Sequence, residues 1–282
     1  MIQAFSLQVF LLASLLLTSC SNDASESTNT TASASTTPAI SQIKEDSLTY
    51  ADGSTSLKGY IYYDSAKSDK RPGVLVVPEW WGLTEYPRMR ARQLAEMGYI
   101  AMAVDMYGNG KLAADPKEAQ ALAMPFYTNP QLFADRLAAA EDKLKTYAQA
   151  DADKMAAIGY CFGGSAVLNA ARLGADYKGV VSFHGDFPQG PVEKNKWKGA
   201  VLIAHGEADQ FVSTASLTAF AKRLDSVGVQ NTVRTYPGAT HAFTNPAATK
   251  AGQKFRMPIE YNRAADTASW NEMKAFFGAI FK

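Results

Sequence analysis

The stretch Gly159-Tyr160-Cys161-Phe162-Gly163-Gly164 decides how this chain folds. The apolar run 155–158 before it predicts a short strand, and residues 165–172 after it predict a helix. A G-x-C-x-G-G pattern between a strand and a helix is typical of a nucleophile elbow, here with cysteine where serine is usual. The flanking glycines carry no Cβ atoms that would clash in so sharp a turn. An ordinary buried cysteine is the alternative, and the strand–helix context favours a catalytic Cys161.

The composition is that of an ordinary globular protein. Of the 282 residues, 47% are hydrophobic and 20% are charged, and the formal net charge is +1. Lys and Arg are scattered rather than clustered, so no nucleic-acid partner is expected. No cluster of residues has the spacing of metal ligands, so we expect neither a metal ion nor an organic cofactor.

Residues 1–19 have the features of a secretory signal peptide. Residues 5–17 are mostly apolar, which is too short for a mature membrane-spanning helix but suits a signal-peptide core. The run ends in Leu17-Thr18-Ser19-Cys20, which resembles a bacterial lipobox with Cys20 as the lipidated first residue of the mature protein. The segment before the run lacks Lys and Arg, a departure from the usual signal. An apolar helix followed by an incidental cysteine is the alternative, and the polar tract that follows favours the lipoprotein.

Residues 20–44 are predicted to form a disordered tether in front of a folded domain at 45–282. Residues 21–37 are almost entirely Ser, Thr, Ala, Asn, Asp and Glu, and such a segment cannot bury enough apolar surface to fold. Ser21 directly follows Cys20, which in bacterial lipoproteins favours the outer membrane. We therefore expect a protein of the bacterial cell envelope, held in the outer membrane by its lipid and facing the periplasm.

The chain has only two cysteines, Cys20 and Cys161. If Cys20 carries lipid, Cys161 has no partner for a disulfide within the mature chain. A lone thiol in an oxidising compartment is exposed to oxidation. Its presence therefore favours a catalytic role.

The domain alternates strands and helices, which predicts an α/β fold with a mostly parallel central sheet and helices on both faces. The cysteine elbow favours the α/β-hydrolase version of this plan. Predicted strands occupy 57–63 (an antiparallel edge strand), 73–77, 99–104, 155–158, 179–183, 200–204 and 231–236. Predicted helices occupy 85–97, 135–149, 165–172 and 213–227, and a C-terminal amphipathic helix places Ala264, Trp270, Met273, Phe277 and Ile280 on one face.

A thiol nucleophile requires a base, and in this fold the base is a histidine beyond the last strand. Of the three histidines, only His241 has that place. His184 and His205 each end a predicted strand, so we expect them to have a structural or substrate-facing role.

The acid that orients the histidine should follow a strand between Cys161 and His241. Asp209 is favoured, with Glu207 as the runner-up and Asp186 less well placed. Capping of the following helix is the alternative role for Asp209, but Ser213 is the better N-cap. In this arrangement His241 takes the thiol proton, and the backbone N–H of Phe162 is one donor to the substrate oxyanion.

These residues resemble the dienelactone hydrolase family of α/β hydrolases over roughly 45–282. The resemblance rests on the elbow together with Val76-Val-Pro-Glu79-Trp-Trp-Gly82, Asp105-Met-Tyr107, His205-Gly-x-x-Asp209 and His241-Ala-Phe243. It implies that Glu79 helps to generate the thiolate and that the N–H of Trp80 is the second oxyanion donor.

The chain departs from the family where the substrate should bind. Family members that cleave dienelactones hold the substrate carboxylate with two arginines, but the matching stretches here, 107–110 and 241–245, contain none. Arginine is the strong, bidentate ligand for a carboxylate. We therefore expect a more apolar pocket, with Trp81, Tyr107, His184 and Phe243 among its residues.

The sequence thus predicts a monomeric, membrane-tethered hydrolase that cleaves small-molecule esters or lactones through a thioacyl-enzyme intermediate on Cys161. Thioesterase, acyl-transfer or dehalogenase chemistry on the same scaffold is an alternative. A non-catalytic binding lipoprotein is another, and the complete Cys161, Asp209 and His241 set argues against it.

The lipid anchor has a direct test. In a bacterial host, the wild-type chain is expected to incorporate labelled palmitate and to accumulate as a precursor under globomycin, because Cys20 is the acylated residue. Cys20→Ser should lose the label. Equal labelling of the two chains would contradict the lipoprotein interpretation.

Overall fold

The computed structural model describes residues 41–282. The predicted signal peptide, Cys20 and most of the predicted tether lie outside these residues. The described part forms one eight-stranded sheet with the order β1-β2-β4-β3-β5-β6-β7-β8. The strands are β1 (Ile43–Asp52), β2 (Thr55–Asp64), β3 (Arg71–Val77), β4 (Ile100–Ala103), β5 (Ala150–Tyr160), β6 (Gly179–Phe183), β7 (Ala200–Gly206) and β8 (Asn231–Tyr236).

Seven helices accompany the sheet in residues 41–282. They are α1 (Glu85–Glu96), α2 (Pro116–Thr128), α3 (Gln131–Lys145), α4 (Phe162–Leu173), α5 (Thr214–Ser226), α6 (Ala248–Phe255) and α7 (Arg263–Ile280). Strand β2 pairs antiparallel with β1 and β4, and all other pairs are parallel. The mostly parallel α/β sheet predicted from the sequence is confirmed. No helix in this part of the chain is long and apolar enough to span a bilayer.

The sheet separates two hydrophobic cores. Successive residues of β3 alternate between them, with Val74 and Val76 in one core and Leu75 and Val77 in the other. Helices α3, α4 and α5 cover the larger core, and α1 and α7 cover the smaller one. Burial on both faces explains why the central strands are continuous apolar runs in the sequence.

Some predicted boundaries were wrong. The segment 57–63 is not an edge strand, because β2 lies between β1 and β4 and the edge is β1. Strand β1 starts at Ile43, inside the predicted tether, and only Tyr50 of its ten residues is buried, so it lacks the apolar signal of a buried strand. Helices α2 and α6 were not predicted. In α7 the buried face contains Ala265 rather than Ala264.

The carboxyl ends of the parallel strands meet at one edge of the sheet, where α/β proteins bind their ligands. The segments that follow the strands at that edge contain Glu79 after β3, Asp105 after β4, Cys161 after β5, His184 after β6, Asp209 after β7 and His241 after β8. The fold therefore gathers at one edge residues that lie far apart in the sequence.

Asp105 fixes the loop beside this edge. Its buried carboxylate accepts hydrogen bonds from the backbone N–H groups of Lys58, Tyr107, Gly108 and Gly110 at 2.8–3.0 Å. The Tyr107 hydroxyl in turn donates to the Trp80 carbonyl at 2.9 Å. The Asp105-Met-Tyr107 motif therefore supports the backbone of the loop that follows β3.

Candidate active site

The elbow holds Cys161 in a strained backbone conformation. Its φ is 52° and its ψ is −116°, a combination that few residues other than glycine adopt. A Cβ on Gly159 would lie 1.9 Å from the Gly163 carbonyl oxygen, and one on Gly163 would lie 2.3 Å from the Val77 oxygen. Only glycine fits at either position, as the sequence pattern predicted. The side chain of Cys161 consequently lies at the N-terminus of α4, beside the carboxyl edge of the sheet.

His184 supports the elbow and does not line the substrate cleft. Its Nδ1 accepts a hydrogen bond from the Cys161 backbone N–H at 3.1 Å, and its Nε2 lies 2.8 Å from Thr244 Oγ1. This pattern places the ring proton on Nε2. Burial, aided by the nearby His241, lowers the pKa of His184 well below its usual value, which keeps the ring neutral. The prediction that His184 is a pocket residue was wrong, because the sequence could not show that it turns inward.

Asp209 and His241 come together as chain order predicted. His241 Nδ1 donates to Asp209 Oδ2 at 2.8 Å, and the other carboxylate oxygen of Asp209 accepts the N–H groups of Phe211 and Val212. Burial alone would lower the pKa of His241, but the neighbouring Cys161 and the Asp209 carboxylate raise it to about 10. The imidazole is therefore protonated at neutral pH when it faces a thiolate.

The other candidates for the acid do not pair with His241: within residues 41–282 Asp186 lines the cleft without a hydrogen bond to the imidazole, and Glu207 has another partner. The Glu207 carboxylate accepts from Thr235 Oγ1, and Ser213 is the N-cap of α5, which leaves Asp209 free to orient the histidine. His205 is buried behind the site, and neither ring nitrogen has a hydrogen-bond partner within residues 41–282. Burial lowers the pKa of His205, so this ring is also neutral and structural.

Glu79 is buried at the cleft wall, and Asn245 is the one side chain of residues 41–282 that forms a hydrogen bond with its carboxylate. Asn245 Nδ2 donates to Glu79 at 2.6 Å, while its Oδ1 accepts the Ala247 N–H, which fixes the orientation of the amide. Burial raises the pKa of Glu79 to about 7, although Asn245 and His241 oppose the rise. Glu79 can therefore hold or release a proton near neutral pH, as a group that exchanges protons with a thiol must.

A cleft of about 280 Å³ opens beside Cys161 and His241. Trp81 lines it as predicted, whereas Tyr107 lies behind Trp80 and Phe243 is fully buried against His184. The cleft is lined by Glu79, Trp80, Trp81, Gln120, Ala123, Met124, Tyr127, Cys161, Asp186, Phe211, Val212, His241, Ala242, Met257 and Ile259.

Sequence reasoning missed most of the cleft wall. Met124 and Tyr127 belong to α2, whose N-cap Asp115 and following Pro116 were the available signal for a helix. Met257 and Ile259 come from the loop after α6, and nothing in their local sequence shows that this loop returns to the cleft.

Comparison with known proteins identifies the family. The model of the dienelactone hydrolase family matches residues 57–281. The chain belongs to the dienelactone hydrolase family. This membership places it among the hydrolases that cleave esters and lactones. The family resemblance read from the motifs is thereby confirmed.

Individual relatives agree with this assignment. Protein usf of Aquifex pyrophilus is 32% identical over 213 residues, which cover 73% of this chain and 87% of that protein. The crystal structure of a dienelactone hydrolase-like promiscuous phosphotriesterase from metagenomic libraries is 32% identical and has a TM-score of 0.80, with 84% of this chain and 98% of that one covered. A thermophilic esterase of Thermogutta terrifontis is 16% identical with a TM-score of 0.57 over 83% of this chain and 94% of its own, and shares the fold.

The burial of Glu79 predicts a stability effect that depends on pH. Its folded pKa of about 7 exceeds the ordinary value of 4.5, so burial favours the protonated form. That advantage is present below pH 4.5 and is lost as the pH rises through 7, which costs the fold up to roughly 3 kcal/mol. The side chain introduced by Glu79→Gln cannot ionise. The free energy of unfolding of this variant in urea, relative to that of the wild type, should therefore increase between pH 5 and pH 8. The exposed Glu260→Gln is the control, and a Glu79→Gln difference that is constant with pH would contradict the account.

Proposed function

We propose that this enzyme hydrolyses esters or lactones through a thioacyl intermediate on Cys161, with His241 as the acid and base and Asp209 as its orienting partner. The contact between His241 Nδ1 and Asp209 carries the proposal. It fixes the tautomer and orientation of the imidazole next to a cysteine that the elbow presents at the start of α4. A nucleophile, a base and an orienting carboxylate are the parts that acyl transfer requires.

In the first half of the reaction, the Cys161 thiolate attacks the substrate carbonyl carbon and forms a C–S bond. The carbonyl oxygen takes up negative charge. When the tetrahedral intermediate collapses, the C–O bond to the leaving alkoxide breaks, and the His241 imidazolium gives that alkoxide its proton. The products of this half are an alcohol and a thioester on Cys161.

In the second half, water attacks the thioester carbon while neutral His241 takes the water proton. The C–S bond breaks, the acid leaves, and the thiolate and imidazolium pair is restored. In a lactone the alcohol and the acid are the two ends of one molecule. Both halves require the same imidazole, and the hydrogen bond from Asp209 stabilises its charged form.

The backbone supplies the groups that stabilise the oxyanion. Phe162 is the first residue of α4, so its N–H has no acceptor within the helix. Trp80 follows Glu79 in the loop after β3 and supplies the second N–H. The carbonyl of Trp80 accepts a hydrogen bond from the Tyr107 hydroxyl, which fixes this part of the loop. Two such donors, placed before the reaction, stabilise charge that appears only in the transition state.

The cleft favours substrates without a carboxylate. Among the described residues 41–282 no Lys or Arg side chain lines it, and the positions of the family arginines are occupied by other residues, among them Asn245. Phosphotriesters carry no net charge, so the phosphotriesterase activity of the similar metagenomic enzyme agrees with a preference for neutral esters. The enzyme is therefore not restricted to carboxylate-bearing dienelactones.

Substitution of the three residues tests the mechanism. Cys161→Ala and His241→Ala should each lower kcat/KM for a small activated ester by at least about a thousandfold, because neither acylation nor proton transfer can proceed. Asp209→Asn should also lose activity, since the amide stabilises the wrong tautomer. Circular dichroism checks that each variant is folded. Equal turnover by wild type and Cys161→Ala would contradict the mechanism.

A further inference from the structure

The cleft combines aromatic walls with negative charge. Trp80, Trp81, Tyr127 and Phe211 line it together with the Asp186 carboxylate, and within residues 41–282 no Lys or Arg side chain does. We propose that the cleft binds substrates that carry a cationic group, a quaternary or protonated amine, with Asp186 and the aromatic rings as its partners. The inference rests on the proposed hydrolase function and names the substrate class for it.

Asp186 is a carboxylate that the catalytic mechanism does not use. It is exposed in the loop after β6, and its side chain accepts one hydrogen bond, from the Phe187 N–H at 2.8 Å. Within residues 41–282 it forms no ion pair, and residues 1–40 contain no Lys or Arg. Its charge is therefore available to a ligand in the cleft.

Tyr127 connects Asp186 to the nucleophile. It lines the main cleft, and with Asp186 it also lines a smaller cavity of about 100 Å³. Burial raises the pKa of its hydroxyl, and the charges of Cys161 and Asp186 add to the rise, which places this side chain near both groups. A ligand group held at Tyr127 and Asp186 would thus lie within one substrate length of Cys161.

The charges around the cleft also favour a cation. Whether their shared proton lies on Cys161 or on His241, these two residues together carry no net charge, and the Asp209 carboxylate leaves a net negative charge. Glu79 adds a further fraction near neutral pH. Lys254 lines a neighbouring cavity instead, with its ammonium 4.7 Å from the centre of the Phe255 ring. Arg172 lines the smaller cavity and lies beyond ion-pair distance of Asp186.

Aromatic rings with a nearby carboxylate are the usual means of holding an ammonium group. Rings attract a cation through their negative faces, and an exposed carboxylate adds a modest Coulomb contribution. Together these effects correspond to a preference of about three- to thirtyfold for a cationic group over a neutral group of the same shape. A carboxylate of similar size should be rejected, because Asp186 repels it and the His241 imidazolium is already paired with Asp209 and Cys161.

The test compares two acetate esters of matched shape, one of 2-(trimethylammonio)ethanol and one of 3,3-dimethylbutanol. The wild-type enzyme should show a several-fold higher kcat/KM for the cationic ester. Asp186→Asn keeps the acceptor for Phe187 N–H but removes the charge, and it should bring the ratio of the two values towards one. Asp153→Asn, which removes an exposed charge near the start of β5, should leave the ratio unchanged.

A wild-type ratio of one, or an equal drop in the ratio for both variants, would overturn the inference. If the enzyme hydrolysed neither of the two esters, that result would instead count against the proposed function. Binding can then be tested alone, because tetramethylammonium in the cleft should slow alkylation of Cys161 by iodoacetamide. Protection that is the same in wild type and Asp186→Asn would again contradict a role for Asp186.

Discussion

The site depends on the strained backbone of Cys161. A residue with φ of 52° persists only where its surroundings enforce that conformation. Here the enforcement comes from both sides: Gly159 and Gly163 pack without Cβ atoms, and the Cys161 N–H is held by the Phe183 carbonyl at 3.0 Å and by His184. The strain is therefore offset by sheet pairing and tight packing. As a result, the thiol projects beyond the sheet.

A buried chain of hydrogen bonds connects the elbow at Cys161 to the loop that carries the catalytic base. His184 connects the elbow to Thr244, which lies three residues after His241 and also accepts from the Tyr86 hydroxyl at 2.7 Å. Arg90 donates to the Thr244 carbonyl and pairs with Asp266 of α7. The loop that presents His241 is thus attached to the elbow, to α1 and to α7. Such a network sets the distance between nucleophile and base without touching the substrate.

Chain order, rather than local pattern, made the catalytic residues predictable. The α/β-hydrolase order of nucleophile, acid and histidine selected Asp209 and His241, and the structure brings them together at 2.8 Å. Residues whose role depends on packing direction were not predictable in this way. His184, Tyr107 and Phe243 stand in loops near the site, yet they face the interior. Met257 and Ile259 reach the cleft only because distant segments fold back over it, which no local periodicity shows.

The central claim is that the acyl group passes through Cys161. Rapid acid quenching of the enzyme mixed with an activated ester, followed by peptide mass spectrometry, tests it most directly. We expect a mass increase equal to the acyl group on the peptide that contains Cys161, accumulating before steady state and absent from Cys161→Ala. An acyl adduct on another residue, or full turnover with Cys161 unmodified, would contradict it.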